Sequence, residues 1–235
     1  MCNKKKVKLP LNLLIYISGV PGVGKTSIAR ELMKVSKNFF VVQEYDICRE
    51  SIRGFLIQNN LSDDFTIINS STSALSHFEI MEQTRLLSNS IVYISRRLNK
   101  KHIPSIIEGA SISFRQLLMD KNFLSLFESN PNIFFIYLYL SDEEEHRKRI
   151  QKRCVQYNDF NHLNYFNNIR ENNRLFHNEI ELLKNNGVFC DEKQIPLNII
   201  EIDTKPTFLR STTSSIRITA NKIFNYLIDY YLKLK

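Results

Sequence analysis

Gly19-Val-Pro-Gly-Val-Gly-Lys-Thr26 constrains this chain more than any other stretch. It fits the pattern G-x-x-x-x-G-K-[ST] at every fixed position. Glycines let such a loop bend tightly enough to aim successive backbone N–H groups at one anion. The apolar run Leu11–Ser18 before it suits a strand buried on both faces. After it, Thr26–Lys37 carries Ile28, Ala29, Leu32 and Val35 at helical spacing, so the positive end of a helix joins the loop. In this strand–loop–helix setting the pattern is a phosphate site rather than an ordinary glycine turn. Gly19, Val20, Pro21, Gly22, Val23, Gly24, Lys25, Thr26 and Ser27 are expected to bind ATP. Lys25, a catalytic group in this reading, would bridge the β- and γ-phosphates, and the Thr26 hydroxyl would ligate Mg²⁺.

Four further apolar runs punctuate the chain: Phe39–Gln43, Pro104–Gly109, Asn132–Leu140 and Leu197–Ile202. Between them lie helical patterns at Asp46–Gln58, with Asp46 as N-cap, and at His77–Lys101, Ser113–Phe127, Asn164–Asn185 and Ser214–Leu234. Ser141-Asp-Glu-Glu144 fits a capping box and opens one more helix, through about Tyr157. Residues 59–76 show little periodicity and predict a connection. Five buried strands alternating with helices mean an α/β fold with a five-stranded parallel sheet flanked by helices. With no internal repeat and no Pro/Gly/Ser-rich linker, residues 11–235 are expected to form one domain behind a basic tail at 1–10.

Lys+Arg 32 against Asp+Glu 24 leaves a net charge of +8, which favours anionic partners without choosing among them. Cys2, Cys48, Cys154 and Cys190 form no C-x-x-C pair and no zinc-type spacing, which fits a reduced, cytoplasmic protein. Lys4–Lys6 and the following LPLNLLIYIS imitate a signal peptide, but Pro10 and Asn12 interrupt the run and a phosphate loop stands where a cleavage site would be. The longest apolar run, Ile133–Leu140, is far short of a membrane span.

Ligands of open α/β sheets bind at the carboxyl edge, so charges at strand ends matter. Glu108 ends the third strand and could orient the metal's waters or the acceptor. Asp46, after the second strand, could act as general base on an acceptor hydroxyl. Arg49 and Arg53, four residues apart, point two guanidinium forks the same way and suit an anionic acceptor. Arg149 and Arg153 share a face of the helix after the fourth strand, with His146 at its edge; they could stabilise charge on the transferring phosphoryl group. The lone His77, His102, His162 and His177 suit surface or core roles.

The stretches IYISGVPGVGKTSIARELM, YDICRESIR and SDEEEHRKRIQKR together resemble the P-loop small-molecule and nucleoside-monophosphate kinases, and more narrowly the 2-phosphoglycerate kinase family. Asp46, Arg49, Glu50 and Arg53 are similar to that family's D-x-x-R-E-x-x-R segment. His146, Arg149 and Arg153 resemble its lid helix, and Phe166, Ile169 and Arg170 its F-x-x-I-R helix. Ala110-Ser111 stands where the family tends to have Val-His, and Thr72 follows Ser70-Ser71 where it tends to have Tyr. The resemblance implies a P-loop NTPase fold, nucleoside-monophosphate-kinase-like, with an acceptor region at about 44–80 and a helical lid at about 141–165. It implies transfer from ATP, with Mg²⁺, to a hydroxyl of a small anionic metabolite such as 2-phosphoglycerate. Other small acceptors remain within that class. The rival class is a polynucleotide kinase or NTP-gated RNA-binding protein, disfavoured because no aromatic-interleaved basic motif is present. Neither ATP-versus-GTP preference nor oligomeric state is written in these patterns.

Overall fold

The computed structural model describes residues 8–36, 41–61, 65–110, 112–190, 193–206 and 212–234. The chain runs through β1 (Leu14–Ser18), α1 (Lys25–Ser36), β2 (Val41–Glu44), α2 (Tyr45–Gln58), α3 (Thr66–Asn69), α4 (His77–Lys100) and β3 (Ser105–Gly109). It continues through α5 (Phe114–Met119), α6 (Lys121–Ser129), β4 (Ile133–Tyr139), α7 (Glu143–Tyr157), α8 (Asn161–Asn164) and α9 (Phe166–Asn186). It closes with β5 (Val188–Cys190), β6 (Lys193–Ile195), β7 (Ile199–Asp203) and α10 (Thr212–Lys233).

Five strands form one parallel sheet in the order β2-β3-β1-β4-β7, the expected α/β architecture, and β5–β6 add an antiparallel hairpin that the sequence reading lacks. The central strands β1, β3 and β4 are buried almost throughout, as their unbroken apolar runs require. Alternation along β4 sends neighbouring rings to opposite faces. Phe135 meets Tyr16, Phe114 and Phe127, on the face covered by α4–α6. Phe134 meets Tyr226, Tyr230 and Tyr231 of α10, which also packs on α1. Register then sets the working edge: Ile17 of β1 lies opposite Glu108 of β3, and Glu108 lies opposite Glu44 of β2. The end of β3 therefore sits directly beside the start of the phosphate loop.

Four local expectations are corrected. The helix expected over Ser113–Phe127 is two helices, because Asp120 leaves helical geometry and accepts hydrogen bonds from the Asn122 and Phe123 N–H groups as N-cap of α6. The box at Ser141 does not form. Asp142 caps α7 through the Glu145 N–H, while Ser141 donates to Asp203. Asp46 is not an N-cap, since α2 begins one residue earlier and Glu44 precedes it. Within 59–76, Thr66–Asn69 forms one helical turn. The strand expected over Phe39–Gln43 runs over Val41–Glu44; residues 39 and 40 lie outside the described residues, as do most of the basic tail and Ser111.

Candidate active site

The phosphate loop folds as a tight turn at the carboxyl edge of the sheet. A Cβ on Gly19 would stand 2.2 Å from the Leu138 carbonyl oxygen, so the loop leaves β1 by a path open only to glycine. Lys25, 8% exposed, folds back over the loop and donates to the Val20 carbonyl at 3.1 Å. Thr26 donates its hydroxyl to Glu108 Oε1 at 2.6 Å. Glu108 is only 3% exposed, and burial pushes its pKa above the usual carboxylate range while Lys25 and the Thr26 hydroxyl pull it back. Burial likewise lowers the Lys25 pKa, against the pull of Glu108 and Asp46. A buried cation and carboxylate with a half-buried hydroxyl, at a helix N-terminus, suit a phosphate chain with its hard cation. Hydroxyl and carboxylate oxygens are what Mg²⁺ prefers, so Thr26 and Glu108 fit that ion, directly or through its waters.

On the β2 side, Asp46 lies in the first turn of α2, close enough to Lys25 and Glu108 for its charge to act on both. Its carboxylate faces Arg49 at 3.5 Å. Arg49 is largely buried and donates to the Thr72 hydroxyl at 2.7 Å; Arg53 donates to Glu50 at 2.7 Å and to the Ile68 carbonyl at 3.1 Å. Both forks reach the 66–75 segment, Arg53 within α3 and Arg49 just beyond it. The Nε atoms of both are buried and, among the described residues, have no hydrogen-bond partner.

On the far side, α7 supplies Arg149 and Arg153. Arg149 donates to Glu145 at 2.8 Å and to the Thr204 carbonyl at 2.8 Å, which ties α7 to the end of β7. Arg153 lies over the Tyr157 ring and, among the described residues, forms no hydrogen bond or ion pair. Both arginines and Tyr157 line a cavity of about 500 Å³ whose opposite wall is Gly22–Ile28, with Thr204 and Thr219 behind. Loop and basic helix thus face one space. Glu44 reaches its rim through an ion pair with Arg30 at 3.1 Å.

Sequence reasoning missed three contributors. Thr204 carries no motif. Thr72 entered only as a departure from a family pattern, yet it is what Arg49 holds. His162, expected at the surface or in the core, is half-buried on α8 and feels the charges of Arg153, Lys25 and Asp46; burial is the main cause of its lowered pKa. No sequence signal distinguishes it, because α8 is a single turn placed by the elements on either side. Among the described residues no helix is long and apolar enough to cross a membrane, and no three His, Cys, Asp or Glu side chains gather as a metal site.

The AAA domain family matches residues 15–159, from β1 through α7. The chain belongs to this family. The match contains the phosphate loop, Glu108, α2 and the basic helix, while Thr204 and Thr219 lie beyond it. The mevalonate-3-phosphate 5-kinase of Thermoplasma acidophilum is 27% identical over 145 residues, covering 60% of this chain and 67% of that protein. Among solved structures, the shikimate kinase from Acinetobacter baumannii in complex with shikimate superposes with a TM-score of 0.49 at 14% identity, covering 95% of both chains. An uncharacterized protein from Eubacterium ventriosum gives 0.41 at 12% identity, covering 92% of this chain and 98% of that one. The chain is a phosphotransferase with an α/β P-loop kinase fold.

Proposed function

We propose that the chain transfers the γ-phosphoryl group of ATP, with Mg²⁺, to a hydroxyl of a small metabolite that already carries negative charge, 2-phosphoglycerate being the leading candidate. The observation that carries this reading is the Thr26–Glu108 contact beside Lys25, flanked by α2 on one side and α7 on the other. The relative from Thermoplasma acidophilum supports it, since its name specifies a phosphorylated hydroxy acid as acceptor. 2-Phosphoglycerate shares those three groups: a free hydroxyl, a carboxylate and a phosphate.

In this reading Gly19–Ser27 hold the nucleotide. Thr26 and Glu108 hold the Mg²⁺, whose chemistry would be to draw charge from the phosphate oxygens. Asp46 takes the proton of the acceptor hydroxyl as its oxygen bonds to the γ-phosphorus and the bond to the ADP oxygen breaks. Arg49 and Arg53, in the acceptor region 44–80, meet the acceptor's anionic groups; Glu108 would orient the acceptor or the metal's waters. Lys25, Arg149 and Arg153 balance the charge that develops on the phosphoryl oxygens. Within residues 11–235, taken as one domain, the segment 141–165 closes as a lid over the nucleotide and excludes water.

The test is incubation with ATP and a panel of phosphorylated and carboxylated alcohols, read by mass spectrometry. One phosphoryl group gained by 2-phosphoglycerate or a close analogue is the expected result. Gain only on nucleotides or RNA ends would replace the acceptor reading.

A further inference from the structure

His146 stands one turn before Arg149 on α7, yet it does not line the cavity. Its ring is fully buried, and Nε2 lies 2.7 Å from the Pro21 carbonyl oxygen. Its Nδ1 lies 3.3 Å from Arg170 Nη1, which also donates to the Leu140 carbonyl at 2.6 Å. A guanidinium only donates, so Nδ1 accepts, and the proton must sit on Nε2 facing Pro21. Burial, together with the charges of Arg170 on α9, Arg149 on α7 and Lys25 on α1, keeps the ring neutral, with a pKa lowered to about 4. The ring also packs closely against the loop: a Cβ on Gly22 (φ +87°) would stand 3.0 Å from its Cδ2 and Nε2.

The geometry of one peptide unit gives this contact its meaning. In a trans peptide the carbonyl of one residue and the N–H of the next point in opposite directions, and no described peptide is cis. Pinning the Pro21 carbonyl to His146, on the outer side of the loop, turns the Gly22 N–H inward. We propose that His146 is a positioning residue: it fixes the Pro21–Gly22 peptide so that the Gly22 N–H donates to the nucleotide's phosphates, with Arg170 setting its tautomer. This rests on the phosphate loop being the nucleotide site.

The experiment compares ADP and adenosine binding by calorimetry in wild type, His146→Phe, His146→Gln and Lys25→Ala. Phe keeps the ring and loses the donor; Gln places an amide donor at nearly the same reach. His146→Phe is expected to weaken ADP by about ten- to a hundred-fold, the worth of one hydrogen bond to a charged group. Adenosine should change by less than about two-fold, and Gln should restore ADP to within about three-fold. ADP binding unchanged in His146→Phe while Lys25→Ala loses it would overturn the proposal alone. Equal loss of ADP and adenosine would reduce His146 to a packing residue. ADP unaffected by Lys25→Ala would overturn the nucleotide site itself. Should the Phe variant fail to fold, ¹⁵N NMR of the wild-type ring decides: an Nε2–H tautomer that does not titrate from pH 5.5 to 8 is expected. An Nδ1–H tautomer, or titration inside that range, would overturn the assignment.

Discussion

A glutamate buried beside a cation and a hydroxyl is held for its chemistry at some cost in stability. The Glu108 pKa is raised chiefly by burial, so ionisation above the ordinary carboxylate range destabilises the fold. Glu108→Gln is therefore expected to melt at the same temperature or higher, while turnover falls at least ten-fold and the Mg²⁺ requirement rises. A melt several degrees lower with an unchanged Mg²⁺ titration would show a purely structural residue. The sign for His146 runs the other way along the pH axis. Its folded pKa of about 4 lies below the ordinary 6.5, so the unfolded chain binds the proton first as pH falls. Its contribution is complete above 6.5 and lost toward 4. Wild type should lose roughly 2 kcal/mol more than His146→Phe between pH 7 and pH 5 in urea unfolding; equal losses would contradict the buried, neutral ring. Of these residues, Lys25 and Thr26 could be named from spacing alone, because their loop has one conformation that works. His146 could not. Its motif marks it as a lid residue, and only the approach of α7 beneath the loop gives it Pro21 as a partner.

Elements buried on both faces were the most legible. β1, β3 and β4 are unbroken apolar runs, and α1 and α4 repeat their apolar residues at helical spacing, so each fell within a few residues of its expected span. Elements held by side chain-to-backbone bonds were not. The 66–75 segment lacks periodicity because its carbonyls are taken by Arg53, Gln83, Asn168 and Asn172, on three different helices. The same logic refines the lid. Arg149 is already tied to Thr204, whereas among the described residues Arg153 and the turn beyond it carry no such anchor. Closure is thus expected beyond Arg149, where local opening is least costly. Hydrogen exchange in the presence of ADP and acceptor should slow chiefly over residues 153–165. Protection of the phosphate loop with no change there would make α7 a static basic wall.

At the scale of the molecule, the sheet order places the phosphate loop between Glu108 on one neighbouring strand and the approach of α7 on the other. The net charge of +8 is consistent with anionic ligands of any size. Register is what turns a general basic character into a defined site, since it sets Glu108 beside Ile17 and leads the loop straight from Ser18. The central claim is that phosphoryl transfer happens at this edge and depends on Lys25. The most direct test measures ADP formed per enzyme with saturating ATP, Mg²⁺ and the best acceptor, in wild type and in Lys25→Ala of unchanged circular dichroism. Loss of a cation from the developing charge should cost about 3–4 kcal/mol, or two to three decades in rate. Lys25→Ala turning over near the wild-type rate would contradict the account.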